Sequence, residues 1–197
     1  MRVTRLAKAL AGGLLALTSL AATAQWSVTD LMAALAARGD ADATFTELRY
    51  VPVLDAPVKS SGTLRFVAPD RIEKHTLQPR AESMVLAGEQ LTLRQGQRAR
   101  NLALADLPDG GLAINSLRGT MAGDLAALRR GWTVTLHGER SKWTLDLTPV
   151  SASVAQYIET VQIEGRQDQI DRIEMRQADG VRSLMLITPA PANDKPR

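Results

Sequence analysis

No cysteine occurs anywhere in the 197-residue chain, which excludes disulfides, thiolate metal sites and thiol nucleophiles together. Aromatic residues amount to 4%, so a core has to be built from Leu, Ile, Val, Ala and Met. His75 and His137 are the whole imidazole complement. They fall on separate predicted strands, at polar positions, and even with Glu73 and Glu139 nearby they lack the clustered spacing of a metal site. G-x-S-x-G, H-E-x-x-H and phosphate-loop motifs are all missing. Gly110-Gly111 reads as a turn and Ser60-Ser61-Gly62 as a strand entry. No catalytic residue, metal or cofactor is expected, and the chain is not expected to be an enzyme.

A long apolar run is missing too. The stretch Leu10–Leu20 is too short to span a bilayer. It follows Arg2, Arg5 and Lys8 and runs into Ala22-Thr23-Ala24, the layout of a cleaved secretory signal. Residues 1–24 are therefore expected to be removed between Ala24 and Gln25. No cysteine follows to carry a lipid anchor, so the expected destination is the periplasm of a Gram-negative bacterium. Loss of Arg2, Arg5 and Lys8 reduces the 24 basic residues to 21, matching the 21 acidic ones. Positive charge in excess on one face, the footprint of a nucleic-acid partner, is not expected.

What is present is alternation. After a helix start at Ser27-Val28-Thr29-Asp30, which has the form of a capping box, Leu31, Met32, Leu35 and Ala36 make an apolar stripe, closed by Gly39. This helix would serve as a lid or as a plug at one end of a sheet. Strands are then expected near Phe45–Val53, Gly62–Val67, Arg71–Leu77, Ser83–Leu86, Gln90–Arg94 and Arg98–Leu104, with Gly88 and Gly96 at hairpins. From Leu112 to Arg130 the period lengthens to that of a helix broken near Gly119 and Gly123. Strands resume at Trp132–Gly138, Lys142–Pro149, Gln156–Glu164, Ile170–Gln177 and Arg182–Thr188. The proline-rich end, residues 189–197, reads as a disordered tail.

The expected fold is mainly β: an incomplete antiparallel barrel of about eleven strands, covered by about three helices. A meander this long curls on itself. Residues 25–188 are expected to form a single domain.

Certain marks recur at fixed places: Phe45-Thr46-Glu47, Pro57, Ser61-Gly62-Thr63-Leu64, Pro69-Asp70, Pro79, Gly88, Pro108, Gly123-Asp124 and Trp143-x-Leu145-x-Leu147-x-Pro149. In order and spacing they resemble the periplasmic outer-membrane lipoprotein carriers, the LolA family, and especially its divergent LolA-like branch. The resemblance covers roughly residues 45–188. It implies an open barrel under helices and a lipid or lipoprotein cargo. It also implies an inner-membrane lipid exporter as donor and an outer-membrane acceptor.

Strand alternation alone fits a filled sandwich core as well as it fits a hollow; the resemblance favours the hollow. Leu64, Phe66, Leu91, Leu93, Leu102, Leu104, Val134, Leu136, Leu145 and Leu147 are the expected lipid-binding wall, and Leu112, Leu117 and Met121 the expected lid. Met175 and Met185 add adaptable contacts. One departure stands out. Carriers proper usually place an arginine before the proline matching Pro69, where this chain has Ala68, and aromatics shortly after it, where this chain has Ile72-Glu73-Lys74. That points away from the usual lipoprotein cargo towards a glycolipid or aryl-polyene lipid. The alternative is a periplasmic lipid-sensing regulatory module of the same fold. Such sensors usually carry a further partner-binding domain, for which a chain ending at Arg197 leaves no room. A monomer is expected.

Overall fold

The computed structural model of the chain describes residues 26–107 and 110–190. The expected signal peptide, its Ala24–Gln25 junction and nearly all of the expected tail lie outside the described residues.

Helix α1 (Val28–Arg38) begins with the capping box expected of it. The Ser27 N–H donates to Asp30 Oδ2 at 3.0 Å, and the Asp30 N–H to Ser27 Oγ at 3.2 Å. The hydrogen bonds from Ser27 hold the Asp30 carboxyl below its ordinary range. Leu31, Met32 and Leu35 are buried, three sides of one stripe, and Gly39 ends the helix at φ +67°.

Six strands follow: β1 (Ala41–Tyr50), β2 (Val58–Val67), β3 (Arg71–Gln78), β4 (Glu82–Ala87), β5 (Gln90–Gln95) and β6 (Arg98–Ala103). A 3-10 turn, Leu104–Asp106, leads to α2 (Gly110–Met121) and α3 (Leu125–Gly131). Next come β7 (Trp132–Glu139), β8 (Lys142–Pro149), a one-turn α4 (Ala152–Ala155), β9 (Ile158–Arg166), β10 (Gln169–Gln177) and β11 (Arg182–Pro189). The strand count matches the sequence reading. The short α4 makes four α-helices among the described residues where about three were expected. It was missed because a single turn is too short to show a 3.6-residue period. Strand β1 starts four residues before the expected Phe45, because Ala41 and Ala43 continue the inner-face alternation with side chains too small to register as apolar signals.

All eleven strands belong to one antiparallel sheet in the order β6-β5-β4-β3-β2-β1-β11-β10-β9-β8-β7. Two meanders, β1–β6 and β7–β11, are joined by β1 lying beside β11 over eight residue pairs, from Ala43↔Pro189 to Tyr50↔Arg182. Strands β6 and β7 are the free edges, and the barrel is incomplete between them. The helical segment α2–α3 is the connection across that gap. Gly62 is required where β2 meets β3: a Cβ there would lie 1.9 Å from the His75 carbonyl oxygen.

One face of the sheet carries the helices. The opposite face is polar, and the one carboxylate buried there among the described residues, Glu174, is met by Arg172, by Arg176 at 3.0 Å and by Arg182 at 3.7 Å.

Candidate functional site

The helix-covered face holds two apolar clusters rather than one. The first joins α1 and α3 to β7–β10, around Leu31, Leu35, Leu128, Trp143, Leu145, Leu147 and Ile163. The second joins α2 to β2–β6 and the 3-10 turn, around Phe66, Ile72, Leu86, Leu91 and Leu104. Met121, the last residue of α2, packs against both.

Between them lies a narrow apolar cavity of about 60 Å³. Leu64, Phe66 and Ile72 wall it from β2 and β3, and Ile170, Ile173 and Ile187 from β10 and β11. Leu35 of α1 and Leu117 and Met121 of α2 complete it, and Arg38, Arg65 and Asp168 are its charged lining residues. Arg38 Nη1 donates to the Asp168 carbonyl at 3.1 Å, tying the end of α1 to the β9–β10 turn. A water molecule claims roughly 30 Å³ and ligand pockets run from about 300 Å³ upwards. The cavity as it stands therefore admits no acyl chain.

Helix α2 lines a second space as well. On its other flank is an open cleft of about 730 Å³, bordered by the β2–β3 turn at Pro69-Asp70, the β4–β5 turn at Gly88-Glu89, and Leu112, Asn115 and Gly119 of α2 itself. Among the described residues, the buried Asn115 Oδ1 that borders it accepts no hydrogen bond. Arg118 pins the helix from this side, donating to the Gly88 carbonyl at 2.6 Å and to Glu89 at 3.0 Å. The Glu89 carboxylate is mostly exposed, so water competes for this contact and it is a weak latch. At the corner after α2, Gly123 takes φ +67° and sits so close to α1 that a Cβ would lie 2.2 Å from the Met32 carbonyl oxygen. That end of α2 is packed tightly against α1.

Of the ten residues expected to wall the site, Leu64 and Phe66 border the cavity. Leu91, Leu93, Leu102 and Leu104 lie in or against the second cluster. Val134, Leu136, Leu145 and Leu147 lie in or against the first, with Leu145 and Leu147 fully buried. Of the expected lid residues, Leu117 and Met121 border the cavity, while Leu112 packs against the first cluster. Met175 also packs on the first cluster, and Met185 sits opposite Glu47 and Ile173. The sequence reading passed over Ile170 and Ile173, three residues apart. A register shift between Ile170 and Arg172 puts both on one face, and an irregularity of that kind leaves no mark in a period-two pattern. Ala68 belongs to the β2–β3 turn, where its N–H donates to Asp40 Oδ1 at 3.0 Å.

A half-buried polar pair crosses the same inner face. Lys74 Nζ lies 2.5 Å from Glu47 Oε2 and 4.8 Å from the centre of the Phe45 ring. Ser183 Oγ donates to the other Glu47 oxygen. Burial pushes the Glu47 carboxyl upwards, but the charge and hydrogen bond of Lys74, with help from Ser183, outweigh it and hold it below the ordinary carboxylate value. The histidines pair singly with carboxylates, His75 with Glu73 at 3.2 Å and His137 with Asp146 at 3.4 Å. No group of three metal-ligating side chains converges among the described residues.

The family model described as outer membrane lipoprotein carrier protein LolA-like matches residues 20–195. No curated protein matches the chain. Among solved structures, a LolA superfamily protein from Nitrosomonas europaea is similar at 12% identity and TM-score 0.46, over 82% of this chain and 90% of that one. A putative outer membrane lipoprotein-sorting protein domain from Vibrio parahaemolyticus is similar at 10% identity and TM-score 0.45, over 85% and 94%. The Pseudomonas aeruginosa MucA/MucB complex contains a chain similar at 16% identity and TM-score 0.43, over 85% of this chain and 59% of that one. By the span of the family match, and with the open eleven-stranded sheet it folds into, the chain belongs to the outer membrane lipoprotein carrier protein LolA-like family.

Proposed function

We propose that this chain is a periplasmic carrier that shields the acyl chains of a lipid or lipoprotein and passes them towards the outer membrane. It is exported by residues 1–24, cleaved before Gln25, and works as a monomeric single domain without catalysis. Its donor is an inner-membrane lipid exporter and its acceptor an outer-membrane component. The observation that carries this reading is the position of α2: one flank closes a cavity walled by Leu64, Phe66 and Ile173, the other faces an open cleft. A swing of α2 into the cleft joins the small cavity to the apolar face beneath the helix. Each methylene then leaving water contributes about 0.8 kcal/mol, so one 16-carbon chain brings roughly 12 kcal/mol. Only another hydrophobic protein or a membrane competes with that, and release therefore needs an acceptor rather than a nucleotide.

The absence of cysteine gives a clean test. In a Leu64→Cys/Leu117→Cys chain, both thiols border the cavity, and a bis-maleimide that reacts with both ties α2 to β2. A fluorescent long-chain fatty acid is expected to bind the untreated form and to be excluded from the cross-linked one. Equal binding by the two forms would sink the proposal that cargo enters beneath α2.

A further inference from the structure

The inner face of β3–β6 is graded. The row Ile72, Leu86, Leu91, Leu102 is wholly apolar. The next is Lys74, Met84, Leu93, Arg100, and the one beyond is Thr76, Glu82, Gln95, Arg98. Two residues along a strand advance about 7 Å, so hydrocarbon gives way to guanidinium over roughly 14 Å. Met84 and Leu93 still pack on the second apolar cluster. The two outer rows border an open cleft of about 440 Å³.

The charges in this cleft are not equivalent. Lys74 is committed to Glu47 and to the Phe45 ring, and Glu82 accepts from the Gln95 amide at 2.5 Å. Arg98 and Arg100 are exposed on the edge strand. Neither donates a hydrogen bond or forms an ion pair with any of the described residues.

We infer that Arg98 and Arg100 receive the anionic headgroup, a phosphate monoester or a like oxyanion, of a lipid whose acyl chains lie under α2. The inference rests on the carrier reading and adds the class of cargo. Two planar guanidinium forks on one side of a strand suit an oxyanion with several acceptor oxygens. An amphiphile laid along the gradient puts its tails on the Ile72–Leu102 row, its ester region over Met84 and Leu93, and its charge between the arginines. Arginines that merely kept an edge strand from pairing with other chains would be indifferent to the lipid offered.

The test uses soluble short-chain lipids and calorimetry at low ionic strength. Dioctanoyl phosphatidate is expected to bind about tenfold more tightly than dioctanoyl phosphatidylcholine. An Arg98→Gln/Arg100→Gln chain is expected to lose that preference while binding uncharged dioctanoylglycerol as the unmodified chain does. The Arg98→Lys/Arg100→Lys chain, which retains the charge, is expected to keep part of the preference. Equal affinities in the unmodified chain, or a preference that survives in the glutamine variant, overturn the inference. Inorganic phosphate binding as tightly as phosphatidate overturns it too, since the site would then take a free anion. If uncharged dioctanoylglycerol binds normally while phosphatidate gains nothing, only the headgroup assignment falls. If none of the lipids binds, the carrier reading falls and takes this inference with it.

Discussion

The two arms of the sheet make an instructive contrast. In β7–β10 the inner face is apolar along most of its length: Trp143, Leu145, Leu147 and Ile163 are each 0–1% exposed, and α1 and α3 lie directly on them. In β2–β6 only the end nearest α2 is apolar, around Phe66, Ile72, Leu86 and Leu91, and the face then passes to Lys74, Glu82, Arg98 and Arg100. Similar strands in one sheet thus build a dense anchor on one side and an amphiphilic wall on the other. In the proposed carrier, one arm would hold the fold while the other exchanges its contents. The cavity lies at their seam, with Met121 touching each.

That contrast can be broken most sharply by a charge. Leu145→Asp is expected to abolish cooperative unfolding in urea followed by circular dichroism, since an unpaired buried carboxylate costs about 4 kcal/mol or more here. Leu64, half-buried on the cavity wall, is the matching position in the other arm, and Leu64→Asp is expected to stay folded while losing binding of a fatty-acid probe. A folded Leu64→Asp chain that binds normally would remove Leu64 from the site; a folded Leu145→Asp chain would remove the distinction between the arms.

Truncation sharpens the comparison with a smaller effect. Leu147→Ala, in the dense arm, is expected to cost about 2–5 kcal/mol. Leu93→Ala, half-buried in the other arm, is expected to cost about 1 kcal/mol or less and to weaken probe binding instead. Equal losses of stability in the two variants would mean that the arms are packed alike.

The smallest expected effect belongs to Glu47, whose pair with Lys74 holds the polar part of the inner face together. Because its folded-state pKa lies below the ordinary 4.5, its contribution is complete above that pH and is lost as pH falls through the lower folded value. Glu47→Gln is therefore expected to be less stable than the unmodified chain at neutral pH, by on the order of 1 kcal/mol. The gap should close in acid. Urea midpoints measured across that range check it, and a gap that widened towards low pH would contradict the assignment.

Much of the fold was legible because its signals are local. The alternation of Trp143, Leu145 and Leu147 marks a strand and the face it buries, and Ser27 with Asp30 marks a helix start; both depend on residues a few positions apart. The order of turn residues was enough to show the family resemblance. The candidate site was legible only in part. Alternation says that Leu64 and Leu145 each point inwards, but not that the first borders a cavity while the second is sealed under helices. That depends on β1 pairing with β11, on the register shift beside Ile170, and on Gly123 bringing the end of α2 against α1. By itself, then, the sequence determined the strands, their inner faces, the caps and the family. Only the tertiary structure decided that the inner face divides into two clusters with a cavity between them, because contacts between distant residues depend on strand order and helix placement, which no local period encodes.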